Sequence, residues 1–372
     1  MDFDFSDDQQ QLRDAVAKWV EKSYDFERRR HIVAAGGFDR GVYAELADLG
    51  LAGICVSEEH GGLGMGAVEA MVVLQELGRG IVLEPLAQTF IASAVIGAGG
   101  NGEAKSAWLP KIASGQALVV LAHQERAARY RLDQCEAQAV KAGGGHTVTG
   151  LKNIVPAGDQ ADAFIVPAML SGKLALFLVE RGAQGVHTRG YLTQDESRAA
   201  DLKLSSAPAT LITSDGLPAL TLAVDVGIAC VCAEGVGTME RFLAMTVDYM
   251  NQRKQFGVPI ASFQALRHRV ADMKMQLELA RSMSYYATLK LGAPEAERRQ
   301  ALSRAKVQLG QAMRFVSQQG VQLHGGIGVT DEYAGSHYFK RLTQLEMTYG
   351  DTLHHLGEVS ARMTDSAGVF AA

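Results

Sequence analysis

The sequence predicts an α+β chain in three successive stretches: helical, all-β, then helical. Three observations carry that prediction. Apolar residues recur at three- and four-residue steps over residues 7–117 and again from Pro218 to the end, the period of amphipathic helices. Between them, from about Ala117, the runs become short and often β-branched, punctuated by Gly, Asp and Pro, as in a small antiparallel barrel or sandwich. The chain has 372 residues, 47% hydrophobic and 21% charged, which suits a soluble globular protein with two or three compact units. The seams place an N-terminal helical domain at 1–117, a middle β domain at 118–217 and a C-terminal helical domain at 218–372. Neither seam resembles a flexible linker, so the units are expected to pack together.

Each element has its own signal. "DDQQQLRDAVAKWVEK" sets Leu12, Val16, Trp19 and Val20 on one helical face behind an Asp-rich start. "FDRGVYAELADLGLAGI" and "GAVEAMVVLQELGRG" repeat the pattern, with Gly closing each run and the Gly-rich loop "VSEEHGGLGMG" between them. The strands read "ALVVLAHQ", "AQAVKAG", "HTVTGLKNIVP", "ADAFIVPAML", "KLALFLVE", "GVHTRGY" and "AADLKLSS". The later helices break near Gly257–Pro259, Gly292–Pro294, Gly325–Gly328 and Gly350.

The bulk properties exclude several classes. A net charge of −5 with interspersed signs gives no footprint for nucleic acid or a membrane surface. The N-terminal "MDFDFSDDQQ" is acidic and lacks the apolar run of a signal peptide. The most apolar stretch, Leu222 to Ala233, is short for a membrane span and contains Asp225, which suggests a buried core helix. Cys55, Cys135, Cys230 and Cys232 form no CxxC pair; free buried thiols in a reducing cytoplasm are expected, and no metal site.

Four places could carry chemistry. In "NQRKQFGVPIASFQALRHRVADM", Arg253 and Lys254 beside a helix break either bind an anion or form a solvated helix corner. In "QLHGGIGVTDEY", three glycines in four positions open the backbone to an anion or a flat ring, or simply make a turn; His324 reads as a packed or capping histidine. Glu234, in the apolar "CVCAEGVG", is a base with a raised pKa or a hydrogen-bonded core carboxylate. In "EMTYGDTLHH", Asp351 with His354 and His355 is either a catalytic cluster or a helix cap with histidines on its first turn.

The motifs "RKQFGVPIASFQ" and "QLHGGIGVTDEY", in this order on a helical–β–helical chain, resemble the acyl-CoA dehydrogenase family. "EEHGGLG", "LGRGIVLEPLAQT" and "WLPKIASGQ" extend the resemblance over nearly the whole chain. It implies an N-terminal helical domain, a middle β domain and a C-terminal four-helix bundle. It also implies FAD, a homo-oligomer or a heteromer with a larger subunit, and α,β-dehydrogenation of an acyl-CoA thioester. A base takes the α-proton, and electrons leave to an electron-transferring flavoprotein. By position, Arg253, Gln255 and Phe256 are expected to touch a neighbouring subunit's FAD. Phe263 and Gln264 are expected to line its ADP half, and Gln322, Leu323, Gly325 and Gly326 to approach the pyrophosphate and adenosine side.

The chain departs from the family pattern on the reacting side. The usual catalytic glutamate falls on Tyr349, its second location on Gly227, and the arginine often beside that location on Ile228. That leaves Asp351 as the candidate base. The family's "TEPxxGSD" loop reads "QERAARYRLD": Glu125 survives, but Gln124, Tyr130 and Arg131 replace threonine, serine and aspartate. "KxWIT" reads "KNIVP", so Ile154 and Pro156 occupy flavin-facing positions, and proline removes a donor. Arg131 either recognises a distal carboxylate or is a solvated loop charge. The pattern is most like the small subunit of pimeloyl-CoA dehydrogenase and related heteromeric enzymes, in which a degenerate chain pairs with one that carries the base. A scaffold subunit is the alternative.

Overall fold

The computed structural model describes residues 5–363, so the first four residues of the acidic N-terminal stretch lie outside it. Six helices come first: α1 (Asp7–Ser23), α2 (Phe26–Ala34), α3 (Arg40–Asp48), α4 (Ala67–Arg79), α5 (Leu86–Gly99) and α6 (Gly102–Ala113). Seven strands follow: β1 (Val119–Leu121), β2 (Gln138–Ala142), β3 (Gly145–Pro156), β4 (Ala163–Leu170), β5 (Lys173–Glu180), β6 (Val186–Leu192) and β7 (Arg198–Thr213). Then come α7 (Gly216–Gln252), a hairpin of β8 (Lys254–Gln255) and β9 (Val258–Pro259), α8 (Gln264–Lys290), α9 (Glu295–His324), α10 (Ala334–Met347) and α11 (Thr352–Ala361). The "EEHGG" loop carries a short 3-10 turn, Glu58–His60, closed by left-handed Gly61.

The chain forms two compact units, each discontinuous in sequence. One comprises residues 29–70 and 83–227; the other comprises 1–28, 71–82 and 228–372. In the first, β4, β2, β3, β7 and β5 pair in turn, and β5 pairs again with β4, closing a barrel. The sheet is mixed rather than purely antiparallel, because β1 and β2 run parallel to β4 along the same edge. Alternate residues point inward, among them Val148, Phe164, Val166, Ala175, Phe177, Val179, Leu202 and Leu204, and all are buried. Register shifts on β3 fall between Lys152 and Val155, where Ile154 adopts φ 52°, a conformation that β-branched residues rarely tolerate.

The second unit is helical. α7 is 37 residues long, and by length and composition it could cross a membrane. Its most apolar window is 72% buried within the protein, so it is a core helix. α4 crosses it at bare backbone. A Cβ at Gly78 would strike the Glu234 carbonyl, and one at Gly237 would strike that of Gln75. Thr238 Oγ1 donates to the Gly78 carbonyl at 3.1 Å across the same crossing.

Candidate functional site

The "RKQFG" segment folds as the β8–β9 hairpin. Phe256 and Gly257 form its tip with φ 54° and 80°, both left-handed, as a two-residue turn that follows strand twist requires. The tip holds Phe256 91% exposed, an unusual position for a phenylalanine in a folded chain. Arg253, Lys254 and Gln255 are exposed beside it, and Phe263 meets Phe256 edge-on at 6.1 Å before Gln264 opens α8. The hairpin offers cations, an aromatic face and amide groups to a ligand outside this chain's core.

The "HGG" turn ends α9. His324 is buried; Nδ1 donates to the Gly320 carbonyl at 2.8 Å and Nε2 accepts from Tyr333 Oη at 2.9 Å. Burial lowers its pKa, and it stacks on Phe242, so it is the packed histidine the sequence predicts. Gly325 follows with φ 64°, and a Cβ on Gly325 or Gly326 would meet nothing within 4 Å. Gln322 is exposed with them. Leu323 differs from expectation: its side chain is buried in the core, so it has only backbone to offer.

The resemblance places the family's base position between α10 and α11. Tyr349 is buried and left-handed (φ 59°). Asp351 is the N-cap of α11, its Oδ1 accepting the His354 amide at 2.8 Å. That is the capping alternative, and it engages the carboxylate of the candidate base. Glu346 Oε1 accepts from the amide and hydroxyl of Thr352 at 2.9 and 2.6 Å. His355 lies on the first turn of α11, as expected, but as a core residue rather than a surface one. It is fully buried, Nε2 facing the Tyr349 carbonyl at 3.0 Å and Nδ1 facing Ser303 Oγ at 3.4 Å. Burial and the nearby Lys306 charge lower its pKa to about 3.

The other carboxylate considered as a base, Glu234, is ion-paired. Arg341 Nε and Nη2 lie 2.6 and 2.5 Å from its Oε1. Gly227, at the second base location, is buried in α7 and carries no side chain.

In the barrel, Glu125 joins the "QERAARYRLD" and "KNIVP" segments. Lys152 Nζ, fully buried, donates to Glu125 Oε1 at 2.6 Å, and the amides of Glu136 and Ala137 donate at 2.5 and 3.2 Å. Burial pushes the Glu125 carboxyl up, but Lys152 and the two amides outweigh it and hold the pKa below its ordinary value. The Asn153 amide donates to the Gln124 carbonyl at 2.9 Å, which seats Gln124 beside β3. Pro156 closes β3 without an N–H, and Ile154 is half exposed on its bulge. Arg131 pairs with Asp133 at 3.1 Å and both are exposed, the solvated alternative. None of the four cysteines forms a disulfide; Cys230 and Cys232 are buried, and Cys55 and Cys135 are half-buried.

Sequence reasoning missed Lys306, Glu346 and Arg341. Only Lys306 left a trace: it follows Leu302 and precedes Leu309 and Met313 on the apolar stripe of α9, where a lysine is out of place.

Fold and site together define a chain with an exposed aromatic hairpin and an open glycine turn, suited to a large planar anionic ligand, but with no unengaged carboxylate at the family's base positions. Residues 6–116 match the acyl-CoA dehydrogenase N-terminal domain and residues 214–364 the C-terminal domain. The acyl-CoA dehydrogenase IpdE2 of Mycobacterium tuberculosis is 31% identical over 337 residues, covering 90% of this chain and 91% of its own. A chain of the ChsE4–ChsE5 complex from Mycobacterium tuberculosis superposes with a TM-score of 0.91 at 27% identity, covering 98% of this chain and 100% of that one. Butyryl-CoA dehydrogenase from Megasphaera elsdenii gives 0.89 at 25% identity over 98% and 100%. The chain belongs to the acyl-CoA dehydrogenase family.

Proposed function

We propose that this chain is the base-less subunit of a heteromeric FAD-dependent acyl-CoA dehydrogenase, in which a partner chain supplies the carboxylate that takes the α-proton. One observation carries the reading: Tyr349 and Gly227 stand at the base positions, while the carboxylates of Glu346, Asp351 and Glu234 are each held by a cap or an ion pair. A proton α to a thioester is weakly acidic and needs a base in contact with it. A phenol, with an ordinary pKa near about 10, is too weak for that work.

The residues fit the ADP half of FAD. Arg253 and Lys254 offer charge to a pyrophosphate, Phe256 an exposed ring, and Gly325 and Gly326 an open backbone. Flavin, when bound, supplies the acceptor for the β-hydride. The hairpin would hold it on the neighbouring subunit, while Pro156 and Ile154 give this chain's own barrel fewer groups to hold an isoalloxazine. That asymmetry favours one functional flavin site per pair of unlike chains, with electrons leaving to an electron-transferring flavoprotein. The ChsE4–ChsE5 complex is a solved relative made of two named components.

The test is an anaerobic titration of the purified chain, alone and co-purified with a glutamate-bearing acyl-CoA dehydrogenase chain, using butyryl-CoA and pimeloyl-CoA. The visible flavin bands are expected to bleach only in the complex. Bleaching by this chain alone would overturn the proposal.

A further inference from the structure

The turn between α10 and α11 is held from beneath by one lysine. Lys306, on α9, is fully buried, and its ammonium donates to three carbonyls: Leu345 at 3.1 Å, Glu346 at 2.6 Å and Gly350 at 2.9 Å. The first two belong to the last turn of α10, the negative end of its dipole, where the Leu345 carbonyl also accepts from the Thr348 amide at 3.3 Å. The third lies beyond the turn. An ammonium has three protons, and here each has its own acceptor.

The rest of the turn completes the arrangement. Glu346 reaches forward to the amide and hydroxyl of Thr352 at the start of α11, and Asp351 caps the same helix end. One helix end thus carries the cation and the next carries the anions. Tyr349 sits between them with φ 59°, a conformation that non-glycine residues rarely adopt. His355 meets its carbonyl, and Lys306 holds that of the next residue. Thr352 packs so closely on α9 that a Cβ at Gly310 would overlap its hydroxyl.

We propose that Lys306 is a positioning residue that holds residues 345–351, and with them the left-handed Tyr349, in one preset shape. The groups facing Lys306 are Cys232 from α7, Glu346 from α10, Asp351 from the turn and His355 from α11. Burial lowers the lysine pKa to about 8, opposed by Cys232, Glu346 and Asp351. Above that pH a neutral amine has two protons for three carbonyls, so one carbonyl loses its donor.

The test is amide hydrogen exchange on the flavin-loaded complex, comparing peptides over 345–352 with a control over 277–290 of α8. In Lys306→Met, exchange over 345–352 is expected to rise about tenfold or more, with the control unchanged. In the wild-type chain the same peptides should exchange faster than base catalysis alone predicts as pH rises through about 8. This second arm decides the matter if Lys306→Met does not fold. Protection that stays at wild-type level in the variant, or that follows only base catalysis in the wild type, overturns the clamp.

Discussion

Acidification should unlock the base-position turn through His355. The ring is fully buried with a carbonyl on one nitrogen and a hydroxyl on the other, an arrangement that suits the neutral form with Nε2–H donating to Tyr349 and Nδ1 accepting from Ser303. Its pKa falls from 6.5 to about 3, chiefly through burial and then through the Lys306 charge. Between those values the unfolded chain binds a proton that the folded chain refuses, so stability drops as pH falls from 6.5 toward about 3. At about 1.4 kcal/mol per pH unit, acidification to about pH 5 removes about 2 kcal/mol, and the whole window is worth about 5 kcal/mol at most. Urea unfolding at about pH 7.5 and about pH 5 measures it, with His355→Asn as the comparison, since Asn can still donate to the Tyr349 carbonyl. His123, lowered to about 4 by burial and by Lys152, titrates in both proteins and cancels in the difference. The wild type should lose about 2 kcal/mol more than the variant over this span. Equal losses would refute the reasoning.

Three further outcomes follow from the site. Phe256→Ala removes a ring that is 91% exposed, so thermal stability should be unchanged while the assembled complex retains flavin about tenfold more weakly, read from the visible spectrum after gel filtration. Arg341→Met strands the buried Glu234 carboxylate and should cost about 3 kcal/mol in urea unfolding; a loss well under about 1 kcal/mol would mean the pair is not formed. Asp351→Ala should cost about 1 kcal/mol, the ordinary worth of an N-cap, and Asp351→Asn less, while acyl-CoA bleaching in the complex is untouched. If Asp351→Asn keeps its flavin but abolishes bleaching, Asp351 is the base.

The strands and helix breaks were legible because they rest on local periodicity and on Gly and Pro. Each of the seven predicted β runs overlaps one strand, and the breaks near 257, 292, 325 and 350 all fall between helices. The hairpin and the glycine turn were legible as motifs. Closure of the barrel was not, since the pairing of β2 with β4 and of β7 with both β3 and β5 joins residues distant in sequence. Nor was the fate of the carboxylates: Glu234 is claimed by Arg341, 107 residues away, and the turn at Tyr349 by Lys306, about 40 residues upstream. A sequence shows that an acid is present; only the fold shows whether it is already engaged.

The two segments 1–28 and 71–82 belong with residues 228–372 rather than with the chain that surrounds them. Arg13 pairs with Glu76, Arg79 with Glu240, and Tyr338 donates to the Arg79 carbonyl. α1 and α4 are thus synthesised before the last third of the polypeptide, and their unit is complete only once that third is made. The barrel segments, complete by residue 227, face no such delay. A fragment beginning at residue 228 would lack α1 and α4 and leave the Gly78–Gly237 crossing on α7 open to water.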